Sequence, residues 1–368
     1  MRQKAILVGL RLPSDTMHDV EESLDELAQL ADTAGAVVAD VVVQEREGIH
    51  PRTYIGPGKA EQIGGLVGSL DIDLVILNHD LSPSQQRNLE DIIGRMIIDR
   101  TGLILDIFAQ HAHSKEGSIQ VELAQCTYRL PGLRGKGIEM SRLGGGIGTR
   151  GPGETKLEVD RRRIQQRIRR LKKELVHMGK VRETQAKRRR KACTFAITMV
   201  GYTNAGKSTL LNLLTHAGVL VEDRLFATLD STTRQLMLPN TKKVVISDTV
   251  GFIRELPHQL VAAFKSTLEG IRESDLLLHI VDLSAENYRE NMHAVYEVLK
   301  EIGAAEKNHI TVFNKTDAIG SDIIERAKKE YPDSVCMSAL KGEGADVLLD
   351  AIQEYVETWT CRSLGDTP

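Results

Sequence analysis

The octapeptide Gly201-Tyr-Thr-Asn-Ala-Gly-Lys-Ser208 constrains the fold of this chain more than any other feature. It fits the pattern GxxxxGK[ST], and it lies between an apolar run at residues 195–200 and an apolar-periodic stretch typical of a helix. In that context the backbone N–H groups wrap around phosphate oxygens. We expect Lys207 to reach the β- and γ-phosphates and the Ser208 hydroxyl to bind Mg²⁺. The predicted phosphate loop comprises Gly201, Tyr202, Thr203, Asn204, Ala205, Gly206, Lys207 and Ser208.

A second motif, Asn314-Lys-Thr-Asp317, follows the apolar run at residues 310–313 and predicts which base is bound. The Asp317 carboxylate can accept hydrogen bonds from guanine N1–H and from the 2-amino group, a pair of donors that adenine lacks. We expect Lys315 to lie over the base and Asn314 to brace the phosphate loop. Backbone N–H groups after a further short strand are expected to meet guanine O6. The predicted base-binding residues are Asn314, Lys315, Thr316, Asp317, Ser338, Ala339 and Leu340.

Two stretches between these motifs are typical of γ-phosphate sensors. Asp248 is expected to hold Mg²⁺ through water, and the Gly251 N–H to contact the γ-phosphate. Thr228 is the candidate for a second Mg²⁺ hydroxyl beside Ser208, with Thr232 and Thr233 as alternatives. The predicted sensor residues are Phe226, Ala227, Thr228, Leu229, Asp230, Asp248, Thr249, Val250 and Gly251. Those predicted to act in catalysis are Lys207, Thr228, Asp248, Gly251 and Asn204.

The position after Asp248-Thr-Val-Gly251 bears on how GTP would be hydrolysed. Ras-like proteins carry a glutamine there that positions the attacking water, but this chain has Phe252, whose apolar side chain cannot do so. We therefore expect slow intrinsic turnover and help from a partner. Asn204 in the phosphate loop suggests one substitute, a K⁺ ion held by its side-chain carbonyl. The alternative, that Asn204 only braces the loop by hydrogen bonds, stays open.

The order of apolar runs and helical patterns predicts three regions and an α/β fold class. Residues 1–109 alternate strands and amphipathic helices, which indicates a parallel α/β domain. Residues 110–192 predict an antiparallel helical hairpin around the glycine-rich stretch LGGGIGTRGPGETK at residues 143–156, since both helices have a narrow apolar stripe. Residues 193–362 predict a doubly wound, Ras-like P-loop GTPase domain. A helix is expected to begin at Ser82 or Ser84, both favourable N-caps.

Charge is concentrated in one part of the chain. Residues 156–191 contain sixteen Lys or Arg against four Asp or Glu, a net charge of +12, which leaves −15 for the rest of a chain whose total is −3. Such asymmetry indicates a polyanionic partner, with a solvated helix surface as the alternative. The N-terminus does not fit a signal peptide, and no apolar run approaches the roughly 18 residues that span a bilayer. We expect a cytoplasmic monomer that does not bind membranes.

The chain resembles the HflX family of GTPases, within the TRAFAC class. The resemblance covers TYIGPGK at 53–59, LSP at 81–83, DRTGLILDIFA at 99–109, VELAQ at 121–125 and SRLGGGIGTRGPGETKLEVDRRRI at 141–164. It implies GTP and GDP as ligands, and the large ribosomal subunit and its rRNA as partner. It also implies a role in translation, in ribosome splitting or rescue under stress, or in ribosome biogenesis. The alternative is a GTPase linked to RNA remodelling or tRNA modification.

Overall fold

The computed structural model describes residues 2–133, 152–191, 193–215, 225–226, 232–254, 268 and 270–359 of the 368-residue chain. The chain divides into two compact units. The first contains Met1–Gln110 and Ser118–Lys173, and the second contains His111–Gly117 and Glu174–Pro368. Most of the predicted glycine-rich loop, residues 143–151, lies outside the described residues. Within the described residues, no helix combines the length and apolarity needed to cross a membrane.

The first unit contains a four-stranded parallel sheet in the order β2-β1-β3-β4, which confirms the predicted parallel α/β arrangement. Its strands are β1 Lys4–Arg11, β2 Val37–Glu45, β3 Leu74–Leu77 and β4 Met96–Asp99. Its helices are α1 Met17–Thr33, α2 Pro57–Leu70, α3 Pro83–Ile93 and α4 Arg100–His111. The core of this unit lies between the sheet and apolar helix faces such as that of Leu89 and Ile93.

Local capping explains where these helices begin. Ser82, rather than Ser84, is the N-cap of α3, because its hydroxyl accepts from the Gln85 N–H while the Gln85 side chain accepts from the Ser82 N–H. Helix α2 begins at Pro57, directly after its N-cap Gly56. The GPGK sequence at residues 56–59 therefore forms a helix start.

A buried carboxylate at the end of β4 ties helix α5, Lys115–Arg129, to this sheet. Asp99 accepts hydrogen bonds from the Tyr128 hydroxyl at 2.7 Å, from the Gly102 N–H at 2.8 Å and from the Leu81 N–H at 3.0 Å. Burial raises the pKa of Asp99, while these three donors oppose the shift. The Tyr128 hydroxyl on α5 therefore supplies one of the hydrogen bonds to the Asp99 carboxylate, and this bond links α5 to β4.

Helix α6, Pro152–Lys191, is 40 residues long and carries the basic segment. Leu171 of its predicted apolar stripe is buried. Arg167 contacts Glu122 of α5 through two hydrogen bonds, from Nε at 2.6 Å and from an Nη at 2.7 Å. Such a bidentate pair fixes orientation as well as charge, so α5 and α6 are joined at this point.

The second unit contains a six-stranded sheet in the order β10-β9-β8-β5-β7-β6. Its strands are β5 Ala196–Gly201, β6 Thr232–Met237, β7 Lys243–Asp248, β8 Leu276–Asp282, β9 His309–Asn314 and β10 Val335–Cys336. All pairings are parallel except that of β6 with β7. Its helices include α7 Lys207–Thr215, α8 Tyr288–Glu301, α9 Ser321–Glu330 and α10 Ala345–Thr358. The carboxyl ends of β5, β7 and β9 carry the three predicted motifs, as expected for a doubly wound sheet.

Candidate nucleotide site

The phosphate loop links β5 to α7, and its two tightest positions are glycines. At Gly201 an added Cβ would stand 2.2 Å from the Ile280 carbonyl oxygen, and at Gly206 it would stand 2.2 Å from Asn314 Nδ2. Gly206 also has a φ of +90°, in the left-handed region that side chains disfavour. Only glycine fits at either position, because the loop passes directly against β8 and the β9 motif.

Lys207, the first residue of α7, is buried under its own loop. Its Nζ donates to the Tyr202 carbonyl at 2.7 Å and to the Gly201 carbonyl at 3.2 Å. Burial lowers the pKa of this ammonium to about 8, and the Asp248 carboxylate opposes that shift. A triphosphate at this loop would supply the negative charge that the buried lysine otherwise obtains only in part.

Two oxygen groups meet beside the loop. The Ser208 hydroxyl donates to an Asp248 carboxylate oxygen at 2.6 Å, and Asp248 at the end of β7 has no solvent exposure. A hydroxyl and a carboxylate on converging elements are the oxygen ligands that suit Mg²⁺. The donor set therefore fits that ion.

The loop that begins at Asp248 is joined to the phosphate loop by backbone hydrogen bonds. The Thr203 N–H donates to the Phe252 carbonyl at 2.7 Å, and the Phe252 N–H donates to the Gly201 carbonyl at 3.1 Å. The Arg254 N–H donates to the Tyr202 hydroxyl at 2.8 Å. Phe252 is 2% exposed and packs in the core between the sheet and α8, so its ring is not available to contact a nucleotide.

The β9 motif is held by side-chain hydrogen bonds to two other loops. Asn314 Nδ2 donates to the Ala205 carbonyl at 2.9 Å, and its Oδ1 accepts from the Ala339 N–H at 2.8 Å. The Ser338 hydroxyl donates to the Asp317 carboxylate at 2.7 Å, which lowers the pKa of that carboxyl. Asp317 is therefore an ionised acceptor at neutral pH, as guanine recognition requires.

Two sets of groups expected to contact the base also make contacts within the protein. Lys315, expected to lie over the base, forms an ion pair with Asp282 at the end of β8, at 2.7 Å. The N–H groups of Ser338 and Ala339, expected to meet guanine O6, donate to the Glu343 carbonyl and to Asn314 Oδ1. Tight packing between loops satisfies these amides within the protein.

Several other predicted residues are buried or hydrogen-bonded within the protein. The Thr249 hydroxyl donates to the Met199 carbonyl at 2.7 Å, and Val250 is buried. Thr233, an alternative Mg²⁺ ligand, lies in β6 with its hydroxyl 2.8 Å from that of Ser247. Phe226 is buried, whereas Ala227, Thr228, Leu229 and Asp230 lie outside the described residues.

Sequence reasoning did not find two contacts at this site. Asp282 pairs with Lys315, and the Tyr202 hydroxyl holds the Arg254 N–H. Both contacts join residues more than 30 positions apart, and neither residue pair forms a local pattern. No signal in the sequence alone identifies them.

Three family models match successive parts of this chain. Residues 21–109 match a model described as GTP-binding GTPase N-terminal, and residues 111–189 match GTP-binding GTPase Middle Region. Residues 196–315 match a model described as 50S ribosome-binding GTPase. The matches follow the same order as the parallel sheet, the α5–α6 region and the nucleotide site.

Relatives and a solved structure extend the similarity to almost the whole chain. The GTPase HflX of Caldanaerobacter subterraneus is 50% identical over 353 residues, covering 96% of this chain and 80% of the relative. That of Escherichia coli K12 is 43% identical over 354 residues, covering 96% and 82%. A crystal structure of SsGBP in complex with GDP is 29% identical with a TM-score of 0.52, and it covers 96% of this chain and 98% of that one. With a phosphate loop between β5 and α7 and this identity along nearly its full length, the chain is a GTPase that belongs to the HflX family.

Proposed function

We propose that the chain is a GTP-driven switch that associates with the large ribosomal subunit through its rRNA. The exposed basic surface of α6 carries this proposal, and the match of residues 196–315 to a 50S ribosome-binding GTPase family supports it. The protein acts in translation, in ribosome splitting or rescue under stress, or in ribosome biogenesis. The protein acts in the cytoplasm as a monomer.

The arginines of α6 are available for phosphate contacts to different degrees. The side chains of Arg162 and Arg163 are 65% and 76% exposed. Their ion pairs with Glu158 and Asp160 have N–O distances of 3.7 Å, and exposed pairs of this kind hold side chains only weakly. We give the name α6 basic surface to five exposed cations of this helix, Arg162, Arg163, Arg169, Lys172 and Lys173.

Nucleotide chemistry in this proposal follows the geometry of the site. Lys207 neutralises the β- and γ-phosphates, and the Gly251 N–H contacts the γ-phosphate. Ser208 and Thr228 would hold Mg²⁺, with Asp248 reaching it through water, and the ion would neutralise phosphate charge. Asp317 selects guanine. A K⁺ ion at Asn204 is a further proposed cofactor.

Switching in this proposal depends on the γ-phosphate. While it is present, the Gly251 N–H contacts the γ-phosphate, and hydrolysis removes that contact. Phe252 supplies no group to position water, so turnover depends on a partner. A large ribosomal subunit that completes the site would link hydrolysis to release from the ribosome.

Co-sedimentation through sucrose gradients tests this function. The protein would be mixed with 50S subunits, 30S subunits or total tRNA, each with GDP or with a non-hydrolysable GTP analogue. We expect co-migration with 50S subunits that is stronger with the analogue, and faster GTP hydrolysis when 50S subunits are added. Equal association with 30S subunits or tRNA, or no effect of the nucleotide, would refute the proposal.

A further inference from the structure

Thr203, the third residue of the phosphate loop, has a buried hydroxyl with no hydrogen-bond partner among the residues that the structure describes. The residue is 5% exposed. Buried hydroxyls are almost always hydrogen-bonded, because burial removes them from water. Thr249, a buried threonine on the facing loop, follows this rule by donating to the Met199 carbonyl. The Thr203 hydroxyl therefore lacks a partner that its surroundings would be expected to supply.

The Thr203 side chain lies beside Gly251, one of the groups expected to contact the γ-phosphate. A Cβ built on Gly251 would stand 2.8 Å from Thr203 Cγ2 and 3.1 Å from Lys207 Nζ. Thr203, Gly251 and Lys207 therefore lie close together, and the last two are the groups assigned above to the γ-phosphate. Its backbone is fixed there, since the Thr203 N–H donates to the Phe252 carbonyl at 2.7 Å.

We propose that the Thr203 hydroxyl donates a hydrogen bond to a γ-phosphate oxygen of GTP and is a further catalytic residue. Charge is spread over these oxygens in the transition state, and a donor fixed in advance stabilises it without reorganisation. The inference rests on the proposed nucleotide site, not on the ribosome. Because GDP lacks the γ-phosphate, the contact distinguishes the two nucleotides.

Thr203→Val removes the hydroxyl and keeps the shape of the side chain, whereas Thr203→Ser keeps the hydroxyl. Single-turnover GTP hydrolysis would be measured without ribosomes, together with affinities for GDP and for a non-hydrolysable GTP analogue. We expect Thr203→Val to slow hydrolysis about 10- to 100-fold, the usual effect of a hydrogen bond to a charged group. Analogue affinity should fall while GDP affinity is unchanged. Thr203→Ser should recover most of the rate.

Several results would overturn the inference. They are an unchanged rate in Thr203→Val, an equal loss of GDP and analogue affinity, or a Thr203→Ser rate as low as that of the valine variant. If Thr203→Val does not fold, Thr203→Ala takes its place with the same criteria. Thr215→Val, at the far end of α7, is the matched control and should behave as wild type.

A separate variant tests the nucleotide site itself. Lys207→Ala should weaken triphosphate binding whether or not Thr203 takes part. Wild-type nucleotide affinity in Lys207→Ala would therefore contradict the site, whereas a normal Thr203→Val alone would contradict only the hydroxyl contact.

Discussion

The Asp317 carboxylate accepts a 2.7 Å hydrogen bond from the Ser338 hydroxyl, so the side chain predicted to select guanine is held by a residue of another loop. Asp317→Asn replaces one acceptor oxygen by a donor. We expect GTP affinity to fall about 10- to 100-fold, from the loss of hydrogen bonds to a charged group. Xanthosine triphosphate affinity should rise, because xanthine has a carbonyl where guanine has an amine.

Competition with a fluorescent guanine nucleotide measures both affinities. Asp322→Asn, in the first turn of α9, removes a similar charge near the motif and serves as the control. Wild-type GTP affinity in Asp317→Asn would mean that another group reads the base.

The α6 basic surface should control the salt dependence of ribosome binding. Replacing Arg162, Arg163 and Arg169 by Gln should weaken binding to 50S subunits and lower the salt slope by up to about one unit for each lost phosphate contact. GTP affinity should change little. Binding and nucleotide affinity would both be measured over a KCl series.

Arg167→Gln is the matched control for this series, because Arg167 lies on the same helix but forms a bidentate pair with Glu122. This variant should lower the thermal stability of the protein, and it should change the salt slope of 50S binding little. If the triple variant binds 50S subunits like wild type at all salt concentrations, the α6 basic surface is only a solvated helix face.

Potassium should affect hydrolysis through Asn204. We expect GTP hydrolysis to be faster in KCl than in NaCl at equal ionic strength, and the difference to disappear in Asn204→Ala. An arginine finger contributes about 10³–10⁵ in rate, so even a partial substitute should give at least a roughly tenfold effect. The assay is run first without ribosomes and then with 50S subunits. Equal rates in both salts under both conditions would exclude a K⁺ role.

Tyr128→Phe should destabilise the first unit, because buried Asp99 would lose its hydroxyl donor. The expected loss is about 1–3 kcal/mol in the free energy of unfolding. In the folded protein the pKa of Asp99 is raised above 3.8 by burial. Ionisation of Asp99 therefore lowers the free energy of unfolding as the pH rises through that pKa. Removing the Tyr128 donor raises the pKa further. The destabilisation should therefore be larger at pH 7 than at pH 4.

Urea unfolding at the two pH values tests this sign. Tyr296→Phe, an exposed tyrosine on α8, is the control and should have little effect at either pH. A cost for Tyr128→Phe that is equal at pH 4 and pH 7 would contradict the assigned coupling to Asp99.

Sequence patterns located elements whose signal is local. The buried leucines of α1 recur at helical spacing, so this helix could be predicted. Strands β1, β3, β8 and β9 are continuous apolar runs, such as the one before Asn314, and could also be predicted. The edge strand β6 has the sequence TTRQLM and only Leu236 buried, so it has too little apolar pattern to be recognised. Strand β4 is only four residues long and leads directly into helix α4, so no intervening turn marks the change from extended to helical backbone at Arg100.

The same limit applies to the site. The spacing of glycines, Lys207 and Asp317 predicts which groups face a nucleotide, because those motifs are contiguous. Contacts between loops, such as Lys315 with Asp282 and Ala339 with Asn314, depend on which strands are neighbours in the sheet. Strand order is a property of the whole fold, and no short stretch of sequence encodes it.

The two hydrogen bonds of the Asn314 side chain connect the phosphate loop at Ala205, the base loop and the loop at Ala339 through protein groups alone. Part of the order of these three loops is therefore supplied by the protein itself, and that part of the conformational entropy need not be lost when a ligand binds. A substitution at Asn314 would loosen three loops at once, so its effect on affinity would exceed that of losing either hydrogen bond alone.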